Sequence, residues 1–356
     1  DNLPQIKFYR IMRKFTLVLL IIVFGQLTAS AIERRSEQFP TEFGYLALPL
    51  PYIIPGAGSG FGILGGFNNV PFGSLETTLD LFAIGIAGDI GGNILLATDF
   101  PIYPKAILLD FGQGNFDKGS FRSYRNRRMD SDPDDFVISE LSDTKFIFTR
   151  LAITLFDRMF DIFGFQTRNK STLSAIRDKD GDLIYEANQS FEGDSSSYGF
   201  QIDWTDERTD PQKGIRLIYT TSDSPATDSD SPDFYVQSYN ATFYVPVFSY
   251  STFAINWYRS GAIVRKQGNT DLDYLIAKET ATCLSNCDSG TIEILAKNRQ
   301  ATNLYGSGGN LGGTERLRSY VGGRYSGAQV ESRGAELRWN LSDDKVSFDW
   351  YFIRDI

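Results

Sequence analysis

Tyr198-Gly199-Phe200-Gln201-Ile202-Asp203-Trp204-Thr205 sets Tyr198, Phe200, Ile202 and Trp204 on one face of an extended chain and Gly199, Gln201, Asp203 and Thr205 on the other. Successive side chains of a strand point to opposite faces, so this period of two marks a strand between an apolar and a polar environment. The pattern recurs along the chain. Tyr239, Ala241, Phe243 and Val245 alternate with Ser238, Asn240, Thr242 and Tyr244. Phe253, Ile255 and Trp257 alternate with Ala254, Asn256 and Tyr258. Val346, Phe348, Trp350 and Phe352 alternate with Ser347, Asp349, Tyr351, Ile353 and Asp355.

Extended along the chain, the same reading predicts strands near 56–69, 74–87, 90–101, 105–116, 119–128, 144–156, 159–168, 196–206, 213–222, 233–247, 250–266, 329–341 and 345–356. A soluble sandwich would alternate in the same way, so lengths must decide. The runs approach ~10 residues, which is what a tilted strand needs to cross a bilayer. Short turns are expected at Gly88-Asp89, Asp117-Lys118, Asp157-Arg158, Thr209 to Lys213, Phe248-Ser249 and Ser342 to Asp344. Long polar loops are expected at 129–143, 169–195, 223–232 and 267–328. From residue 119 onward long and short connections alternate, the habit of outer-membrane barrels with short periplasmic turns and long outer loops. The expected fold is therefore all-β, a transmembrane antiparallel β-barrel of the outer membrane.

Composition agrees. Aromatics make up 14% of the chain and there are 33 glycines, a mixture that favours strands and turns. The net charge of -9 argues against nucleic acid as a partner. There is no histidine, which removes Ser-His-Asp and Cys-His catalysis and most zinc chemistry. No enzymatic activity, metal or cofactor is expected. The only cysteines, Cys283 and Cys287, are too few for a zinc site; they form either a local disulfide in an oxidising compartment or a pair of free thiols.

Met12-Arg13-Lys14, the apolar run Phe15 to Phe24 and the small residues Ala29-Ser30-Ala31 are the three parts of a secretory signal peptide, with cleavage expected after Ala31. Residues 1–11 read as translation upstream of a start at Met12. Residues 32–55 are expected to be a short periplasmic lead-in, with the barrel over 56–356.

Three motifs have bland readings. Gly56, Gly58, Gly60 and Gly62 lack the helix that a nucleotide-binding loop requires, and read instead as a glycine-rich strand that pairs weakly. Asp178-Lys179-Asp180-Gly181-Asp182 with Glu186 departs from the spacing of a calcium loop and reads as a solvated turn. Asp206-Glu207-Arg208 before Asp210-Pro211-Gln212-Lys213-Gly214 reads as a charged proline-glycine turn between two strands.

The segment Gly312-Gly313-Thr314-Glu315-Arg316-Leu317-Arg318-Ser319-Tyr320-Val321-Gly322-Gly323-Arg324-Tyr325 is a shaped, basic loop in an acidic chain. Followed by Glu336-Leu337-Arg338, it resembles the inward-folded loop of the BamA/TamA superfamily, the bacterial surface antigen family of outer-membrane assembly factors and two-partner secretion transporters. The hallmark of that loop is Arg-Gly-Phe/Tyr before a strand carrying Glu-x-Arg; here Ser319 stands where the glycine is usual. The turn Asp206-x-Arg208…Pro211-x-x-Gly214 is similar to a second family motif. The resemblance spans roughly residues 40–356.

The resemblance implies a sixteen-stranded barrel, of which about thirteen strands are expected here, with the arginine loop after the eleventh. It implies that Arg318 enters the lumen and pairs with Asp355 or Glu336, with Arg338 beside them. It also implies a lateral seam, to which the glycine-rich strand would belong as the first strand. The implied role is assembly, insertion or translocation of proteins at the outer membrane. The implied partners are outer-membrane lipid, unfolded outer-membrane clients and periplasmic accessory proteins. The lead-in is too short for a POTRA repeat, so a passive or structural barrel is the alternative.

Overall fold

In a computed structural model of the chain, residues 32–54, 56–72, 78–248, 251–313, 316–339 and 353–354 are described. The expected signal peptide, the upstream residues 1–11 and Asp355 lie outside them. A first unit, Asp1–Arg35, contributes only irregular residues 32–35; the second, Ser36–Ile356, carries the fold.

The second unit is an antiparallel β-meander. Its first eleven strands are β1 (Gly44–Ile54), β2 (Gly58–Pro71), β3 (Thr78–Gly88), β4 (Gly91–Tyr103), β5 (Ile107–Tyr124), β6 (Phe136–Leu155), β7 (Phe160–Arg177), β8 (Leu183–Thr205), β9 (Gly214–Ser224), β10 (Asp233–Phe248) and β11 (Ser251–Lys266). Each pairs with the next in sequence. After the long loop, β15 (Gln329–Trp339) pairs with β11, and β16 (Ile353–Arg354) lies against β1 at the other end of the order. The result is an all-β, barrel-like sheet. Eleven wall strands precede the long loop, as expected.

The two faces differ as the alternation predicts. Phe243, Val245 and Val247 of β10 and Phe253, Ile255 and Trp257 of β11 are exposed on the outside. On the inside, Asn256 donates to Asn240 Oδ1 at 2.7 Å and to Thr242 Oγ1 at 2.8 Å. A polar network within and an apolar belt without is the arrangement that lipid demands of a spanning sheet.

Three expectations are corrected. The lead-in 32–55 contains a full strand, β1, masked in the sequence by Pro49 and Pro51. Proline has no N–H for a neighbour and reads as a strand breaker unless one edge goes unpaired. That edge faces β16, which among the described residues pairs only Tyr45 and Leu46, ahead of both prolines.

There is no turn at Asp117-Lys118. Strand β5 runs straight through, because its partner β6 continues beside it to Tyr124↔Phe136. The missed strand and the false turn cancel in the count.

The polar segments 129–143 and 169–195 are mostly strand. β6, β7 and β8 are 20, 18 and 23 residues long and project past their neighbours.

The loop 267–328 is built, not irregular. It holds α1 (Leu272–Thr282), β12 (Cys283–Ser285), α2 (Ser289–Tyr305), β13 (Gly309–Leu311) and β14 (Tyr325–Gly327). Asp271 caps α1 by accepting from the amides of Asp273 and Tyr274, and Asp288 caps α2 by accepting from Thr291. Cys283 and Cys287 are joined in a disulfide between the helices. Buried Glu279 of α1 pairs with Arg299 of α2 at 2.6 Å. The main apolar core lies here, above the barrel: Val137, Leu173, Ile176, Tyr185 and Ala187 of the projecting strands pack against Ile292 of α2.

Candidate functional site: arginine–carboxylate centres at the two ends of the barrel

The connections β2–β3, β4–β5, β6–β7, β8–β9 and β10–β11 lie at one end of the barrel, hereafter the turn end; the long loop crosses the other, the loop end, where the β1–β2 and β3–β4 turns also lie. Each end has an arginine–carboxylate centre.

At the turn end, Asp203 and Asp161 sit on the inner faces of β8 and β7 and are 0% and 1% exposed. Arg216 of β9 meets both oxygens of Asp203 at 3.2 Å and donates to the Arg208 carbonyl at 2.6 Å. Arg208 donates to Asp161 at 2.9 Å and approaches Asp203 at 3.9 Å. Thr205 Oγ1 donates to Asp203 Oδ1 at 2.7 Å. Carboxylates this dry stand only where cations and further donors satisfy them, and the planar guanidinium fork supplies both.

The turn Asp206…Gly214 makes this geometry. Asp206 Oδ1 accepts from the amides of Gln212 and Lys213, each at 2.9 Å, which closes the loop. Pro211 is fully buried. Gly214 has φ +117°, and a Cβ there would lie 2.1 Å from the Trp204 carbonyl oxygen. Only glycine meets both conditions. All four residues of the turn motif therefore have a structural task, and Arg208 is the one that reaches the lumen.

A repeated device continues the network. In β2 and in β4 one residue takes a left-handed backbone, Asn69 at φ 54° and Asp99 at φ 59°. Each bulges the ladder, and each amide donates to an aspartate of the next strand: Asn69 to Asp80 at 2.7 Å, Asp99 to Asp110 at 2.8 Å. Asp99 then takes both arms of Arg158 at 2.8 and 2.9 Å, and Asp110 takes Arg150 at 2.9 Å. The sequence reading missed this half of the site. Its signal was present: Asn69-Val70-Pro71 with Leu79-Asp80 is matched by Asp99-Phe100-Pro101 with Leu109-Asp110.

At the loop end, β13 and β14 form the stem of the arginine loop. Gly312 and Gly313 have φ of +102° and +96°, and Gly323 has +73°. A Cβ on Gly312 would lie 2.1 Å from the Val321 carbonyl oxygen. Leu317 is left-handed as well, at φ 52°. For a branched, bulky residue that conformation is strained. It separates its neighbours: Arg316 lies over the Tyr258 ring at 3.6 Å, while Arg318 reaches Glu336 at 3.4 Å. Glu336 also takes Arg338 at 2.6 Å. Arg316, Arg318, Glu336 and Arg338 line a cavity of about 580 Å3 together with Asn240 and Asn256 of the inner wall. Of the two carboxylates expected for Arg318, Glu336 is the one observed; Asp355 falls outside the described residues. Arg318 remains 66% exposed, so the pair is wet.

Arg324 is the buried arginine of this loop, at 3% exposure. It donates to Ser131 Oγ at 2.7 Å and to the Ser131 carbonyl at 2.6 Å, and lies over Tyr124 at 4.3 Å. This clamps the loop to the β5–β6 connection. Tyr320 packs on Tyr325, and Ser319 is exposed at the tip. Val321 fits against Gly56, where a Cβ would lie 2.3 Å from its Cγ1. The loop thus runs from β11 across the mouth to the β1–β2 turn.

The glycine stretch is corrected as a seam. Gly58, Gly60 and Gly62 belong to the second strand, not the first; all three pair with β1, and Gly60 and Gly62 pair with β3 as well. Their small size makes room for neighbouring side chains: a Cβ on Gly60 would lie 2.5 Å from Tyr52 Oη, and one on Gly62 2.9 Å from Ile86 Cγ2.

Asp178 closes a hairpin turn by accepting from the amides of Asp180 and Asp182. No cluster of metal ligands occurs among the described residues. Outside the barrel wall, hydrogen bonds from Lys278 and then Tyr274 hold the Asp230 carboxyl below its usual range, and tie α1 to the β9–β10 connection.

No family model matches the chain, and no curated protein does. Among solved structures it is similar to the crystal structure of BamA from Haemophilus ducreyi lacking POTRA domains 1-3, at 10% identity and a TM-score of 0.42. The match covers 79% of this chain and 46% of that one, so the chain spans less than half the length of that structure.

Proposed function

We propose that this chain forms an outer-membrane barrel of the bacterial surface antigen type, with a role in inserting or translocating other proteins. The observation that carries the reading is positional. Eleven wall strands precede a long loop whose arginine, Arg318, meets a glutamate, Glu336, on the next wall strand. The turn motif Asp206…Gly214 supports it by building the buried centre at the other end. The outward belt of Phe, Ile, Val and Trp fits a lipid surround, and the Cys283–Cys287 disulfide fits an exported, oxidising location. The reading carries no catalytic role.

The test is reconstitution of the complete protein in vesicles with an unfolded outer-membrane client. Insertion of the client above the rate in empty vesicles supports the reading. Ion conductance with no effect on clients would move it to a passive pore.

A further inference from the structure

The chain ahead of β1 does not lead away from the barrel. Residues 36–43 cross its turn end, and the contacts can be followed from one side to the other. The Ser36 hydroxyl donates to the Glu207 carboxylate on the β8–β9 turn. Gln38 is 7% exposed. The Phe39 ring lies 5.4 Å from the guanidinium carbon of Arg158, on the β6–β7 turn. The Pro40 carbonyl accepts from Thr78 Oγ1 of β3 at 3.0 Å, and the Glu42 carbonyl from Asn69 Nδ2 of β2 at 2.7 Å. Between strap and wall is a cavity of about 110 Å3, lined by Phe39, Asn69, Asp80, Asp99 and Leu108. Leu108, at its floor, is 1% exposed.

From these contacts we infer that residues 36–43 are a built-in strap that shuts the turn-end mouth, so that the lumen is a closed chamber at this end until the strap is displaced. The anchors are well suited to release. Among the described residues, the polar contacts between strap and wall are a hydroxyl–carboxylate bond, a cation–π contact and two hydrogen bonds to carbonyls, each individually modest. The charges beneath are satisfied without it: Arg158 keeps both bonds to Asp99, and Arg208 keeps Asp161. Lifting the strap therefore strands no buried ion. The loop end is crossed independently by the arginine loop, so a closed lumen is expected at rest even if the barrel serves as a translocation path.

The test reads access to Leu108 in the full chain. A Leu108→Cys variant is exposed to a water-soluble maleimide in three backgrounds: the parent strap; a loosened strap carrying Gln38→Gly and Phe39→Gly; and a strap locked by a Ser36→Cys/Glu207→Cys disulfide on top of the loosening changes. The native cysteines are paired and do not compete. Labelling should rise about tenfold or more on loosening and return to the parent rate in the locked form. Return in the locked form also shows that loosening did not unfold the barrel. Equal rates in parent and loosened chains, or fast labelling that the lock leaves unchanged, would overturn the strap. The physiological meaning rests on the membrane-barrel reading, which fails separately: a chain that labels as expected but never enters the membrane fraction sinks the location and leaves the strap standing.

Discussion

The two ends of this barrel use the same chemistry, arginine against carboxylate, in opposite environments. At the turn end Asp203 and Asp161 are fully buried, and Arg216 and Arg208 are about one-fifth exposed. At the loop end Arg318 is two-thirds exposed and shares Glu336 with Arg338. Water decides what each pair is worth. A desolvated pair is costly to break from one side, because the survivor is left as an uncompensated charge. A wet pair gains little over hydration. The turn end therefore holds the barrel, and the pair made by the arginine loop sets a position without much energy.

The largest expected effect follows from that contrast. Arg216→Ala removes the two-pronged partner of buried Asp203, leaving Arg208 at 3.9 Å as a nearby cation, and should cost about 3–5 kcal/mol, read as a lowered midpoint of urea unfolding in lipid vesicles. Arg324→Ala comes next. It removes charge-assisted bonds to Ser131 and should cost about 1.5–3 kcal/mol of loop docking, read as faster proteolysis between Gly312 and Tyr325. Arg318→Ala should cost at most about 1 kcal/mol and leave the unfolding midpoint nearly unchanged, while loosening protection at Leu317 to Tyr320. If Arg318→Ala proved as damaging as Arg216→Ala, the ranking of the two ends would be reversed.

The smallest effect is a pH dependence. The Asp230 carboxyl is held below its ordinary value by Lys278 and Tyr274. Its contribution to docking α1 is present above about pH 4 and is lost as pH falls through the folded value. Lys278 is raised, first by the same hydrogen bond, so its contribution is lost only as pH climbs through its own folded value. Amide exchange of α1 should therefore accelerate in acid before that of the barrel strands.

The wall was legible in the sequence wherever inner and outer faces differ in polarity, as in Tyr198 to Thr205. It was illegible where a local signal competes with pairing. Pro49 and Pro51 hid β1, and Asp117-Lys118 mimicked a turn that the neighbouring strand overrides. The projecting halves of β6, β7 and β8 are polar on both faces in places and read as loop. The helices went unseen because they bury only a few residues each, Leu275 in α1 and Ile292 and Ala296 in α2 among them. At the sites, the turn motif and Glu336 came from the family resemblance, not from the pattern of the residues alone. Asp203 and Arg216 were not found, although they face each other across one hairpin, because alternation alone does not fix the register. Arg158 was not found, because its partner Asp99 lies on β4, not on a neighbouring strand.

All of this stands on a sheet with lipid outside and water within. Spin labels placed singly at Phe243, Ile255 and Leu337, and at Thr242, Asn256 and Glu336, in the chain folded into vesicles, would test that alternation residue by residue. The first three should collide preferentially with oxygen dissolved in the bilayer, and the second three with a water-soluble nickel chelate. Equal collision with the nickel chelate at both sets would mean a soluble sheet and would contradict the barrel.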